Sequence, residues 1–124
     1  MRANTDPRPK TIFCDIDGTL VKHRPPSASA AEDFDLELLE GTIEKLDEWD
    51  RTGCNIILVT GRRESAREQT EKQLAKAGIF YDQLIMGLGG GQRFLINDRK
   101  PNRDGDYAHA VNLPRNQGVK DVKI

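Results

Sequence analysis

Residues 13 to 21, FCDIDGTLV, place two aspartates one residue apart at the end of an apolar run. Side chains two residues apart in a strand face the same side, so Asp15 and Asp17 point together, with Ile16 opposite. Buried carboxylates are costly unless paired or bound to a metal. Two that sit side by side favour a shared proton or a cation, and a hard cation with oxygen ligands, Mg2+ above all, suits them best. Gly18 lets the backbone turn sharply behind them. A calcium loop fails on spacing, because its closing acidic ligand, counted from Asp15, would fall on Pro26.

Two more apolar runs end in polar chemistry. NIILVT, residues 55 to 60, leads into Gly61-Arg62 and then a helical stretch. A hydroxyl, free backbone N–H groups and a helix N-terminus form a ready anion site, although a threonine that merely caps a helix reads the same way. FLIN, residues 94 to 97, leads into Asp98, a residue type that also commonly marks a simple turn. The three ends together describe a phosphate held at Thr60 and a cation held by carboxylates, beside a nucleophile.

The elements that must position these residues alternate. TIFCDID, residues 11 to 17, reads as a strand. Residues 22 to 34, with two prolines and many small residues, read as loop. Leu36, Leu39, Ile43 and Leu46 draw one apolar stripe and predict a helix over 35 to 51, weakened at Gly41 and ended by Gly53. The unbroken aliphatic run NIILVT suits a strand buried on both faces. A second helix is predicted over about 64 to 77, with a thin apolar face of Ala66, Leu74 and Ala77 and a stop at Gly78. Short apolar pieces follow at 84 to 86, 94 to 97 and 108 to 113. The alternation predicts an α/β fold: a single Rossmann-like domain with a mostly parallel sheet, right-handed crossovers and flanking helices. Residues 1 to 10 read as a disordered lead-in and 11 to 124 as the domain.

Composition narrows the function classes. At 124 residues there is room for one core. A net charge of −1 gives no general basic excess for nucleic acid, though a local patch remains open. No apolar run approaches the ~20 residues of a membrane helix, and MRANTDPRPK has no apolar stretch behind its charges, so it does not read as a secretion signal. Cys14 and Cys54 lie at or in apolar runs and read as reduced, buried thiols of a cytoplasmic protein.

In this order DIDGT, VTGR and IND resemble motifs one, two and four of the haloacid dehalogenase-like (HAD) phosphohydrolases, over roughly residues 11 to 113. The resemblance implies that Asp15 is a nucleophile that forms an aspartyl-phosphate. Asp17 would protonate the leaving oxygen and then activate water. Thr60, in the turn with Gly61 and Arg62, would bind the phosphoryl group. Asp15, the backbone carbonyl of Asp17, and Asp98 would hold Mg2+. Such chemistry splits one hard step into two and offsets charge on the transferred phosphoryl.

The chain departs from the family in two places. YDQLIMGLGGGQRFLIND has Leu88 where small relatives carry the lysine of motif three. Arg93 and Lys100 are the candidates to replace it. If RFLIND is a strand, Arg93 lies at its far end, ~15 Å from the site at 3.3 Å per residue, so Lys100 is preferred. There is also no room for a cap domain, which leaves the site open to a large substrate or to completion by a neighbouring subunit in a homo-oligomer. His23 and residues 24 to 31 could touch substrate. YDQLIMG and AVNLPRNQG are similar to small phosphatases encoded near surface-polysaccharide genes, so a phosphorylated sugar is the first substrate expected. The alternatives are a nucleic-acid 3′-phosphatase and a non-catalytic phosphate-binding remnant.

Overall fold

The structure, a computed structural model, describes residues 6–25, 35–102 and 105–124. Most of the loop predicted over 22 to 34 therefore lies outside the described residues, as does most of the stretch 24 to 31. Three parallel strands form one sheet in the order β1-β2-β3: β1 (Thr11–Asp15), β2 (Asn55–Val59) and β3 (Gln83–Ile85). Between β1 and β2 lies helix α1 (Thr42–Arg51). Between β2 and β3 come a 3-10 turn (Glu64–Ala66) and helix α2 (Arg67–Ala77). This is the predicted α/β architecture. Among the described residues, no helix is long and apolar enough to cross a membrane.

The register sets the position of the site. Asp15 pairs with Val59, and Val59 with Ile85, so the carboxyl ends of all three strands are level. Asp15 therefore ends its strand one residue short of Thr60 on the neighbouring strand. β2 is the central strand, and Ile56, Ile57 and Leu58 are all buried, as its aliphatic run predicted. Ile16 and Leu20 from the loop after β1, Leu46 and Trp49 from α1, Leu74 from α2, and Val119 near the C-terminus complete the core.

Helix α1 begins seven residues later than its apolar stripe suggested. Gly41 is not an interior weak point but the residue before the helix, at φ 84°. A side chain there would collide with Lys120 and would also be strained by the left-handed backbone. Residues 36 to 39 instead run beside the loop after β1: Lys22 N donates to Glu37 O at 2.8 Å, and Leu39 N donates to Leu20 O at 3.0 Å. Thr42 locks the corner, its hydroxyl donating to Leu20 O at 2.7 Å. Helix α2 ends as predicted, before Gly78 at φ 79°, but the first predicted turn, residues 64 to 66, is 3-10 and the α-helix begins at Arg67.

One other expectation fails. Residues 94 to 97 are not a strand. Phe94, Leu95 and Ile96 stand 83%, 60% and 92% exposed, without partners in the sheet. Residues 108 to 113 form no strand either, and Val111 is exposed. An apolar run forms a strand only where a neighbour accepts its backbone groups, and β-propensity alone does not supply one. At the other end, the described part of the lead-in is tied down: Tyr107 Oη donates to Asp6 at 2.6 Å, and Asn55 N donates to Lys10 O at 2.8 Å.

Candidate active site

The loop after β1 is a tight turn. Leu20 N and Val21 N both donate to Ile16 O, and Gly18 N donates to Val21 O at 2.7 Å. Fully buried Ile16 anchors the turn from below, which turns the two aspartates out of the core. Their surroundings then differ. The Asp15 carboxylate is 39% exposed, accepts a 3.3 Å hydrogen bond from Thr19 Oγ1, and lies 3.5 Å from Arg93 Nη1. Asp17 is gripped by a two-pronged ion pair: Arg62 Nε and Nη2 each donate to one of its oxygens, both at 2.9 Å. Such forked pairing fixes orientation as well as charge.

Arg62 is itself held from α2. Its Nη1 donates to Gln73 Oε1 at 2.7 Å and to Thr70 Oγ1 at 3.1 Å, and its side chain is only 9% exposed. Its forked head is thus committed to protein partners. The resemblance cast Arg62 as a substrate contact; the structure places it behind Asp17. Thr70 and Gln73 escaped the sequence reading, yet a signal was present. They fall at helical spacing on the same stripe as Ala66, Leu74 and Ala77, and polar residues on a buried stripe call for a partner.

Thr60 reaches the expected strand end but is buried, 1% exposed, with its hydroxyl accepting from Arg62 N at 3.1 Å. Gly61 packs against the glycine run: a Cβ there would stand 2.6 Å from Gly89 O. Gly87 N donates to Arg62 O at 2.7 Å, and Leu88 N donates to Thr60 O at 3.1 Å. The glycine run is therefore not a slack connection at its start; it is laced to the Thr60-Gly61-Arg62 turn.

Asp98 and Lys100 are not brought to Asp15. Lys100 Nζ lies 2.6 Å from Asp98 Oδ1 and over the ring of Tyr107. That hydrogen bond holds the Asp98 carboxyl below the usual carboxylate range. Arg93 is the cation at Asp15 instead. The estimate that put it ~15 Å away assumed a strand, and without that strand the segment bends Arg93 back to the site. Among the described residues, no three carboxylate, histidine or cysteine groups converge as a metal cage. The donor chemistry at Asp15 suits a hard cation, but the third donor implied by the resemblance is engaged elsewhere. Cys14, beside Asp15 in sequence, is inert: burial first, then the Asp15 charge, pushes its thiol up to about 12.

Residues 9–94 match the family described as the polynucleotide kinase PNKP phosphatase domain. The match takes in the Asp15–Asp17 loop, the Thr60 turn and Arg93. Among solved structures, one titled as the Pnkp1/Rnl/Hen1 complex is 33% identical over 75% of this chain, with a TM-score of 0.56. A second, titled as the Pnkp1/Rnl/Hen1 RNA repair complex, is 36% identical over 68%, with a TM-score of 0.54. The present chain spans only 33% and 28% of those two chains. A structural-genomics target from Vibrio cholerae, 24% identical over 71% of this chain and 79% of its own, has a TM-score of 0.52 and shares the fold. No protein among the functionally curated sequences matches the chain. The match over residues 9–94, with the two aspartates and the threonine turn at one sheet edge, identifies the chain as a member of the polynucleotide kinase PNKP phosphatase-domain family, within the HAD-like phosphatases.

Proposed function

We propose that the chain hydrolyses a terminal phosphomonoester of a polynucleotide, a 3′-phosphate in the first instance. The observation that carries this is the contrast between two neighbouring carboxylates, inside a family match that covers both. Asp15 is open and lies beside a cation; Asp17 is oriented by a clamp. A nucleophile must be reachable and an acid–base group must be held in place.

Asp15 attacks phosphorus through a carboxylate oxygen, and the bond to the leaving oxygen breaks as the aspartyl-phosphate forms. Asp17 manages the proton. Each of its oxygens accepts one hydrogen bond from Arg62 and retains a second lone pair on which a proton can be held. It gives that proton to the leaving oxygen and takes one back from the water that hydrolyses the intermediate. The Arg93 guanidinium, next to Asp15, offsets charge on the phosphoryl group, the part that motif three plays by lysine. Mg2+, when bound by Asp15 and the backbone carbonyl of Asp17, supplies further charge stabilisation. Asp98 is its expected third donor.

The sugar phosphate expected first has no specific support from the relatives, and the nucleic-acid alternative takes its place. One of the two complexes is titled an RNA repair complex, the matching family is a polynucleotide kinase phosphatase domain, and an open, capless site accommodates a large substrate. A cytoplasmic setting accords with this reading, and a neighbouring subunit at the open site remains part of the proposal. Purified protein, with Mg2+ and with chelator, should be offered a 3′-phosphorylated oligonucleotide, its 5′-phosphorylated counterpart and sugar phosphates. Preferred, chelator-sensitive release from the 3′-phosphate is the expected result. A preference for sugar phosphates would overturn the reading.

A further inference from the structure

The segment after residue 112 returns to the nucleophile loop. Asn116 N donates to Gly18 O at 2.8 Å, and His23 N donates to Asn116 Oδ1 at 2.8 Å, so one asparagine ties both ends of the loop that follows Asp15 and Asp17. Asn116 sits at φ 66°, a left-handed backbone that asparagine tolerates and most residues do not. Gln117 N closes a turn onto Pro114 O at 3.1 Å, and buried Val119 pins the segment to the core. The residue that this strap delivers to the loop is Arg115. Its Cγ would lie 3.3 Å from a Cβ on Gly18, so its stem passes close over the turn that Gly18 makes at φ 86°.

The charge at this spot is uncommitted. Lys22 and Arg24 both face Glu37, Arg62 is bound to Asp17, Arg93 faces Asp15, and Lys100 faces Asp98. Arg115 is exposed and has no ion pair among the described residues. An arginine held by its neighbours' backbone bonds over the loop that follows Asp15 and Asp17, without a carboxylate partner, is arranged to take an anion in two-pronged fashion. The scissile phosphate belongs to Asp15 and Arg93. We propose that Arg115 holds a second anionic group of the same substrate, the phosphodiester next to the terminal phosphate. This deepens the function proposed above and rests on it.

The test compares wild type, Arg115→Met and Arg115→Lys on three substrates: a 3′-phosphorylated oligonucleotide, a nucleoside 3′-monophosphate with no second phosphate, and p-nitrophenyl phosphate. In Arg115→Met, kcat/KM for the oligonucleotide should fall roughly 10- to 100-fold, mainly through KM, the scale of one lost charge-assisted contact. Its dependence on log salt should be shallower by about one unit. Both small substrates should be turned over as by wild type, and Arg115→Lys should recover part of the loss. Equal losses on all three substrates, or no loss on the oligonucleotide, would overturn the assignment. Wild type that hydrolyses p-nitrophenyl phosphate but not the oligonucleotide would overturn the parent reading, and this one with it. Wild type that prefers the oligonucleotide while Arg115→Met is indifferent would remove this inference alone.

Discussion

At the scale of single residues, the divergence between Asp15 and Asp17 makes separable predictions. Asp15→Asn should abolish turnover, since the amide cannot form the acyl phosphate. Asp17→Asn should slow it by about 10²- to 10⁴-fold, the usual contribution of a general acid–base group. Arg93→Met should lower kcat and kcat/KM together, the pattern of a contact made in the transition state, whereas Lys100→Met should leave both near wild type. The reverse ranking of these two variants would return the role to Lys100. Cys14, with its thiol raised by burial, should resist alkylation at pH 8 in the native protein and react once urea unfolds it, as peptide mapping would show. The placement of the aspartate pair and the threonine at the strand ends was legible because residue type and spacing mark it. The choice between Arg93 and Lys100 was not, because it turned on whether five residues take up strand geometry.

At the scale of elements, α2 does more than cover the sheet. Two polar residues on its buried face hold the arginine that holds Asp17, so the helix sets the angle of the proposed proton-transfer group. Gln73→Leu should therefore cost most where the leaving group needs its proton. The loss in kcat should be clearly larger for an alkyl phosphate than for p-nitrophenyl phosphate, whose leaving oxygen departs readily without one. Equal loss on both would mean that Gln73 serves only packing. Gly41→Ala should destabilise the fold by roughly 1 to 3 kcal/mol, the scale of a residue forced into a left-handed backbone, with denaturant midpoints as the readout. Strand order and α2 were readable from period and punctuation. The start of α1 was not, because Leu36 and Leu39 fall in phase with the helix while the backbone of Glu37 and Leu39 bonds to residues 22 and 20. Tertiary pairing overrode periodicity there.

At the scale of the whole molecule, the sheet brings Asp15, Thr60 and the glycine run together, while Asp98 stays on an exposed segment with its own lysine. Removal of Mg2+ by chelation should stop turnover. If Asp98 joins the metal during the reaction, Asp98→Asn should raise the Mg2+ concentration needed for half-maximal activity several-fold while leaving thermal stability almost unchanged, since its pairing is at the surface. An unchanged metal requirement would exclude it as a ligand. The architecture was visible in the alternation of apolar runs, but the return of residues 114 to 119 to the nucleophile loop was not. Nothing in PRNQGV marks a partner some 93 positions away, and only the folded chain reveals that His23 and Asn116 meet. That meeting also orders events in time. A chain growing at about 5–20 residues per second needs on the order of 5–20 s to travel from Asp15 to Asn116. During that interval the first strand and its aspartates exist without the asparagine that closes their loop, so a half-made chain on the ribosome carries the aspartate pair in an unfinished loop until the strap emerges.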